Sequence, residues 1–384
     1  MKKLIIIIVI ALSWLGSSFA QTQSLPRLVL IDAETKQPVA FARVSWSLAF
    51  VHSLSNEDGQ VILASVSESD TLMVKHFSYQ ELRIPLGQVP QDTLFLVPRD
   101  FQLAGVDIYG LTGRAVMERV IDHLDQNYRI QKVFYRALVR DCEYEQDRSV
   151  LHTITEFDLE VYHRKRGLAQ YQVQQGRMMA FSEPGKEALP EKFMIPTAEI
   201  VNCDIAKADR DILKKRHLDG WEIRIDSVFQ AEGRELIHLT LEAKPGQDNR
   251  VYRYQLSVDM ASHAIVKLLR YQKFASGNRY TEIGFREQGG KWYLAYSLAR
   301  GVSNLYEDLG YMSSSATVSE QFSFYQLSKR TDQSLGDFRG YMAFAPSSAQ
   351  KYVSDWSHPH WQDYDALPWP DWIAERLEAE GLTQ

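Results

Sequence analysis

Glu156, Asp158 and Glu160 are spaced two apart, and no other carboxylates in this chain come nearer to catalytic chemistry by type and spacing. On an extended strand they point to one side, and a pair of carboxyl groups flanking a scissile bond is what glycoside hydrolysis requires. A solvated strand face produces the same spacing, and that is the expectation for these three. A second constellation is His358, His360 and Asp363, because two imidazoles and a carboxylate could supply three ligands of a catalytic zinc. Pro359 separates the histidines and the run is aromatic, which suits an extended docked tail. Neither a metal nor a cofactor is therefore expected. The sequence holds no His-Glu-x-x-His helix, no Gly-x-Ser-x-Gly elbow, no Gly-rich phosphate loop and no Cys-x-x-Cys. No catalytic residue is assigned.

Aromatic residues offer a different chemistry. Trp356, Trp361, Trp369 and Trp372 place half of the eight tryptophans near the C-terminus, where they could stack on a sugar or lipid or close a core. Tyr252 and Tyr254 could line the concave face of a sheet, and the same two uses are open to them. Trp356, Trp361, Trp369, Tyr252 and Tyr254 are the candidate ligand-binding residues, with core packing the plainer role of each. Cys142 and Cys203 are the only cysteines. A bridge between them would close a loop of about 60 residues and could stabilise the chain by roughly 4 kcal/mol; two separate buried thiols are the alternative.

The elements that must position these residues are mostly strands. Met1 to Lys3 give a charged start, Leu4 to Leu15 an apolar run and Ser18-Phe19-Ala20 a small-residue cleavage site, which reads as a signal peptide over 1–20. Twelve apolar residues are too few to span a bilayer, which takes about 20. No cysteine follows the cleavage site, so lipid attachment there is not expected. Export to a periplasm or outer-membrane face is. A formal charge of −6, becoming −8 without Lys2 and Lys3, and the absence of a basic stripe argue against nucleic acid as a partner.

From Leu28 to Val97 short apolar runs alternate with turn clusters, the pattern of a small β-sandwich over 24–100. Asn56-Glu57-Asp58-Gly59 fits a tight turn within it. Met117, Val120, Ile121, Leu124 and Tyr128 recur at helical spacing and predict a bridging helix within 111–130. Over 131–345 the period is two, as in Ile237, Leu239 and Leu241, so a large antiparallel domain is expected, curved or forming a partial barrel. A helix near 204–217 interrupts it. The Trp-rich segment 346–384 is expected to pack on that domain. The fold class expected is mainly β: an immunoglobulin- or transthyretin-like sandwich, a bridging helix and a curved antiparallel sheet.

Asp32, Pro38-Val39 with Ala42 and Val44, Asn56 to Gly59, Asp70-Thr71-Leu72 and His76-Phe77-Ser78-Tyr79 resemble the carboxypeptidase regulatory-like domain. That resemblance implies a sandwich without catalytic residues of its own, in an exported or outer-membrane-associated protein. The stretch from Trp221 to Phe274 looks like the second domain of the same exported family, similar in strand pattern to lipoprotein-carrier half-barrels. Together these readings imply a non-catalytic exported protein that binds a ligand or partner, with a glycan, a lipid or an outer-membrane protein as the candidates. The alternatives are an unrecognised hydrolase and a structural adaptor for an outer-membrane receptor.

Overall fold

A computed structural model describes residues 27–98, 111–128, 133–145, 150–163, 170–181, 212–246, 251–303, 319–330, 356–362 and 368–382, apart from isolated positions and short runs inside these stretches. The expected signal peptide, Cys203 and Asp363 lie outside the described residues. The chain divides into two compact units. One is Met1–Pro98 with Leu367–Pro370; the other is Arg99–Ala366 with Asp371–Gln384.

The first unit is a two-sheet sandwich. Its strands are β1 (Arg27–Asp32), β2 (Arg43–Trp46), β3 (Val51–Leu54), β4 (Gln60–Ile62), β5 (Thr71–Lys75), β6 (Leu82–Pro85) and β7 (Thr93–Leu96). They form sheets of order β4-β1-β7 and β3-β2-β5-β6. Period-two alternation sends Leu28 and Leu30 of β1, Leu72 and Val74 of β5, and Leu94 and Leu96 of β7 into one core. Local polar groups set the turns. The Asn56 side-chain oxygen accepts from the backbone N–H of Asp58 at 3.0 Å and of Gln60 at 2.8 Å, and Gly59 takes φ +73°. A β-carbon on Gly59 would lie 2.3 Å from the Leu30 carbonyl oxygen, so glycine is required twice over. Asp32 closes the next turn, its Oδ1 accepting from the N–H groups of Glu34 and Thr35 and its Oδ2 from the Tyr79 hydroxyl at 2.7 Å.

Ten strands build the second unit: β8 (Val133–Glu145), β9 (Leu151–His163), β10 (Gln170–Ala180), β11 (Trp221–Ala231), β12 (Arg234–Ala243), β13 (Val251–Asp259), β14 (Ile265–Phe274), β15 (Gly277–Gln288), β16 (Lys291–Ser303) and β17 (Ser319–Arg330). Their order is β10-β9-β8-β17-β16-β15-β14-β13-β12-β11, in one curved sheet not closed into a barrel. Two meanders are joined where β8 pairs antiparallel with β17. Helices α1 (Gly113–Asp122) and α2 (Leu124–Asn127) follow one another across His123, where the sequence predicts one continuous helix. Of the helix expected near 204–217, residues 204–211 lie outside the described residues, and Lys215–Gly220 form a 3-10 helix. Further on come α3 (Pro359–Gln362) and α4 (Asp371–Ala379).

The large sheet has two chemically different faces. On one, Leu239, Leu241, Tyr254, Leu256, Leu268 and Ile283 form a single apolar cluster with Val116, Met117 and Val120 of α1. The approach is close, since a β-carbon on Gly113 would lie 2.8 Å from the Ile223 carbonyl oxygen. The other face is rich in charge and phenol, and it holds the residues of interest.

Candidate functional site

Glu282 is the centre of the first cluster on that polar face. Cross-strand register aligns Leu269 with Glu282 and Tyr271 with Tyr280 between β14 and β15, and Gly284 with Tyr296 between β15 and β16. Directly opposed residues share a face. Lys267 reaches Glu282 Oε1 at 2.6 Å. The Tyr296 hydroxyl donates to Oε1 at 2.7 Å and the Tyr280 hydroxyl to Oε2 at 2.9 Å. What lets Tyr296 lie across the strand is Gly284, whose β-carbon would stand 2.2 Å from the Tyr296 ring. Glycine inside a strand is here a seat for an aromatic ring.

Burial acts to raise the pKa of Glu282, but the Lys267 charge and the three hydrogen bonds outweigh it and hold the carboxyl below the ordinary value. Burial, with the facing carboxylate, pushes both Tyr280 and Tyr296 above the usual phenol range. At neutral pH the carboxylate is therefore ionised and both phenols are protonated donors.

From this cluster an aromatic stripe runs outward. Tyr271 lies 5.3 Å from Tyr280 and 6.2 Å from Tyr252, centroid to centroid, and its hydroxyl donates to Gln255 Oε1 at 2.9 Å. The Arg253 guanidinium stands 5.8 Å from the Tyr271 ring and pairs with Glu242 at 2.9 Å. Tyr252 is 37% exposed, while Tyr254 is fully buried with its ring 5.2 Å from Trp221. The two tyrosines, expected to share a face, are separated because a register shift between Val251 and Arg253 breaks the alternation. Sequence reasoning singled out Tyr252 and passed over Lys267, Tyr271, Tyr280 and Glu282, which lie beside it on this face. The readable signal was Gly284, an unexplained glycine in a strand pattern.

A second cluster occupies the β8–β10 wing. Glu156 of β9 is opposed by Arg140 of β8 and Arg177 of β10. The Arg140 Nε–Glu156 Oε1 distance is 2.6 Å, and Arg177 pairs with the other carboxylate oxygen. All three are buried, at 1%, 0% and 4% exposure for Arg140, Glu156 and Arg177. Burial would raise the Glu156 pKa, yet the two guanidinium groups more than offset it and leave the carboxyl below its ordinary value. Asp158, also buried, pairs with Arg136 at 2.9 Å and with His360 Nε2 at 3.2 Å.

This face is covered rather than solvated, which corrects the expectation for Glu156 and Asp158. The Arg177 guanidinium stands 4.4 Å from the Trp356 ring and 4.6 Å from that of Trp361, so indoles close over the ion cluster. Trp372 meets the Tyr144 ring at 4.9 Å. In the first unit, buried Trp369 offers its carbonyl to Asn56 Nδ2 at 3.0 Å. The tail expected to pack wholly on the large domain thus differs at Leu367–Pro370, which group with the sandwich. His358 Nδ1 accepts from the His360 backbone N–H at 3.2 Å, and His360 is engaged by Asp158; among the described residues no three potential ligands gather as a metal site. Cys142 is buried on β8.

No protein-family model matches the chain, and no curated protein does. Solved structures that match include a DUF1329 family protein from Desulfovibrio piger, at 12% identity and TM-score 0.26, covering 59% of this chain and 95% of that one. A LolA superfamily protein from Nitrosomonas europaea matches at 12% identity and TM-score 0.29, with 60% and 98% covered. An outer membrane lipoprotein-sorting protein domain from Vibrio parahaemolyticus matches at 8% and 0.27, with 59% and 97% covered. The carboxypeptidase regulatory-like assignment does not stand, because no family model supports it. The residues that carried the resemblance are accounted for locally: Asp32 and Asn56 to Gly59 are turn formers that any β-sandwich uses.

Proposed function

We propose that this chain is a non-catalytic exported protein of a periplasm or outer-membrane face, and that it binds its ligand on the polar face of the large sheet. The observation that carries the reading is the stripe from solvent-exposed Tyr252 through Tyr271 and Tyr280 to the buried Glu282 carboxylate. Tyrosine suits such a surface because it offers a stacking face and a polar tip at low entropic cost. The two buried carboxylates that could have served as catalytic acids are held ionised by cations, which supports binding over turnover. Export rests on the charged start, apolar run and small-residue cleavage site of 1–20.

The test is native mass spectrometry of the protein isolated from its own cells, followed by Tyr252→Ala and Tyr271→Ala. A co-isolated glycan or lipid lost from both variants is the expected result. Retention of that ligand by both variants would move the site elsewhere, and turnover of it by the purified protein would replace binding with catalysis. An N-terminus at Gln21 in the same spectra supports export; an intact Met1 on protein from fractionated cells refutes it.

A further inference from the structure

The junction of α1 and α2 meets the β13–β14 turn through two hydrogen bonds and a ring contact. Asn127 Nδ2 donates to the Ser262 carbonyl at 2.7 Å, and the Tyr128 hydroxyl donates to the Ile265 carbonyl at 2.6 Å. Between these anchors two imidazoles meet, His123 from the helix junction and His263 from the turn, with ring centroids 4.9 Å apart and an interplanar angle of 62°. His123 Nδ1 donates to the Arg119 carbonyl at 2.8 Å. His263 is held at φ +60° by a turn in which its N–H bonds the Asp259 carbonyl and the Asp259 N–H bonds the Ala264 carbonyl.

We propose that the His123–His263 contact is an acid-released latch, in which neutral imidazoles hold the α1–α2 segment on the β13–β14 turn and their protonation frees it. Two imidazolium rings at this separation repel, and the charges around them do not compensate. Arg119 on α1 adds a third cation. Of the carboxylates, Asp259 uses its Oδ2 for Ser262 and for Arg234 of β12 at 3.7 Å, while its buried Oδ1 carries no hydrogen bond, and Asp122 pairs with Lys215. Lys291 of β16 bonds the Gln126 carbonyl, and the other acidic groups on the segment are Asp125 of α2 and Glu118 of α1, the latter paired with Arg114. Burial, His123 and Arg119 together draw the His263 pKa below its ordinary value, with Asp259 opposing. A lowered histidine pKa places the loss on the acid side: stability is complete above the unfolded value and falls as pH drops toward the folded one. Release would withdraw Val116, Met117 and Val120 from the apolar sheet face, so acidification would uncover that face without unfolding the sheet.

Amide hydrogen exchange of the full mature chain tests this at about pH 7.5 and about pH 5.5, on either side of the ordinary histidine value of 6.5. After correction for intrinsic rates, protection over 116–127 should fall about tenfold or more at the lower pH, while β12 to β15 stay protected. The double variant H123Q/H263N should lose this dependence, since asparagine tolerates positive φ. Unchanged protection in the wild type, the same fall in the double variant, or a fall spread through the sheet would each overturn the latch. Should the variant not fold, imidazole resonances of the wild type decide: uncoupled titration of both rings near 6.5 refutes it.

Discussion

Glu282 keeps its charge in a nearly closed place only because Lys267, Tyr280 and Tyr296 all donate to it, and Glu156 does so because two arginines converge on it. Glu156→Gln removes the anion and leaves both guanidinium groups buried, which should cost about 3 to 5 kcal/mol in denaturant unfolding. Both carboxyls titrate below their ordinary 4.5 in the folded chain. Their contribution is therefore complete above that value and is lost as pH falls below it through the folded values. The unfolding midpoint of the wild type should drop steeply over that acid window, and the doubly substituted Glu156→Gln, Glu282→Gln protein should show a shallower slope. Equal slopes would mean that other carboxylates carry the acid sensitivity. Gly284→Ala probes the ring seat: the added methyl meets Tyr296 at 2.2 Å, and overpacking of this kind costs about 1 to 3 kcal/mol. Little loss of stability would show that Tyr296 can swing aside, and loss of the Tyr252–Tyr271 ligand surface should then be sought separately.

At the scale of elements, strands were legible and their faces were not. Alternation in Ile237, Leu239 and Leu241 gave the apolar side of β12, but the register shift at Val251/Arg253 carries no local sequence mark and separated Tyr252 from Tyr254. The arginines were similarly silent, because Arg140, Glu156 and Arg177 acquire meaning only when β8, β9 and β10 align. Tail helices α3 and α4 belong to this scale too. Trp356→Ala or Trp361→Ala uncovers the Arg177 guanidinium, and each should cost about 3 to 5 kcal/mol as a large aromatic truncation. Thermal unfolding checks it, and a truncation before Trp356 that melts like the intact protein would return these tryptophans to a ligand-binding role. The turn at Asn56 to Gly59 was readable throughout, since its hydrogen bonds lie within five residues.

For the whole molecule, two compact units were within reach of the sequence, but their membership was not. Leu367–Pro370 join the sandwich although they follow it by more than 260 positions, and nothing in their composition marks this. A fragment ending at Pro98 lacks the Trp369 carbonyl that Asn56 uses. It should melt below the sandwich of the intact chain, and a peptide spanning 363–373 added in trans should raise its melting temperature; no response to peptide would show the contact to be energetically idle.

The long reach of the C-terminal tryptophans also orders events in time. A chain is synthesised from its N-terminus, so β8 to β10 emerge with Glu156, Arg140 and Arg177 while Trp356 and Trp361 are still to come. The meander from β11 to β16 can form by local hairpins, but β8 must wait for β17, nearly 190 positions later at the Val139–Tyr325 pair, and the ion cluster must wait longer still for its indoles. Separations of that length slow closure and prolong exposure of unfinished edges. Closure of the β8–β10 wing is thus set by the arrival of the segment that carries Trp356 and Trp361.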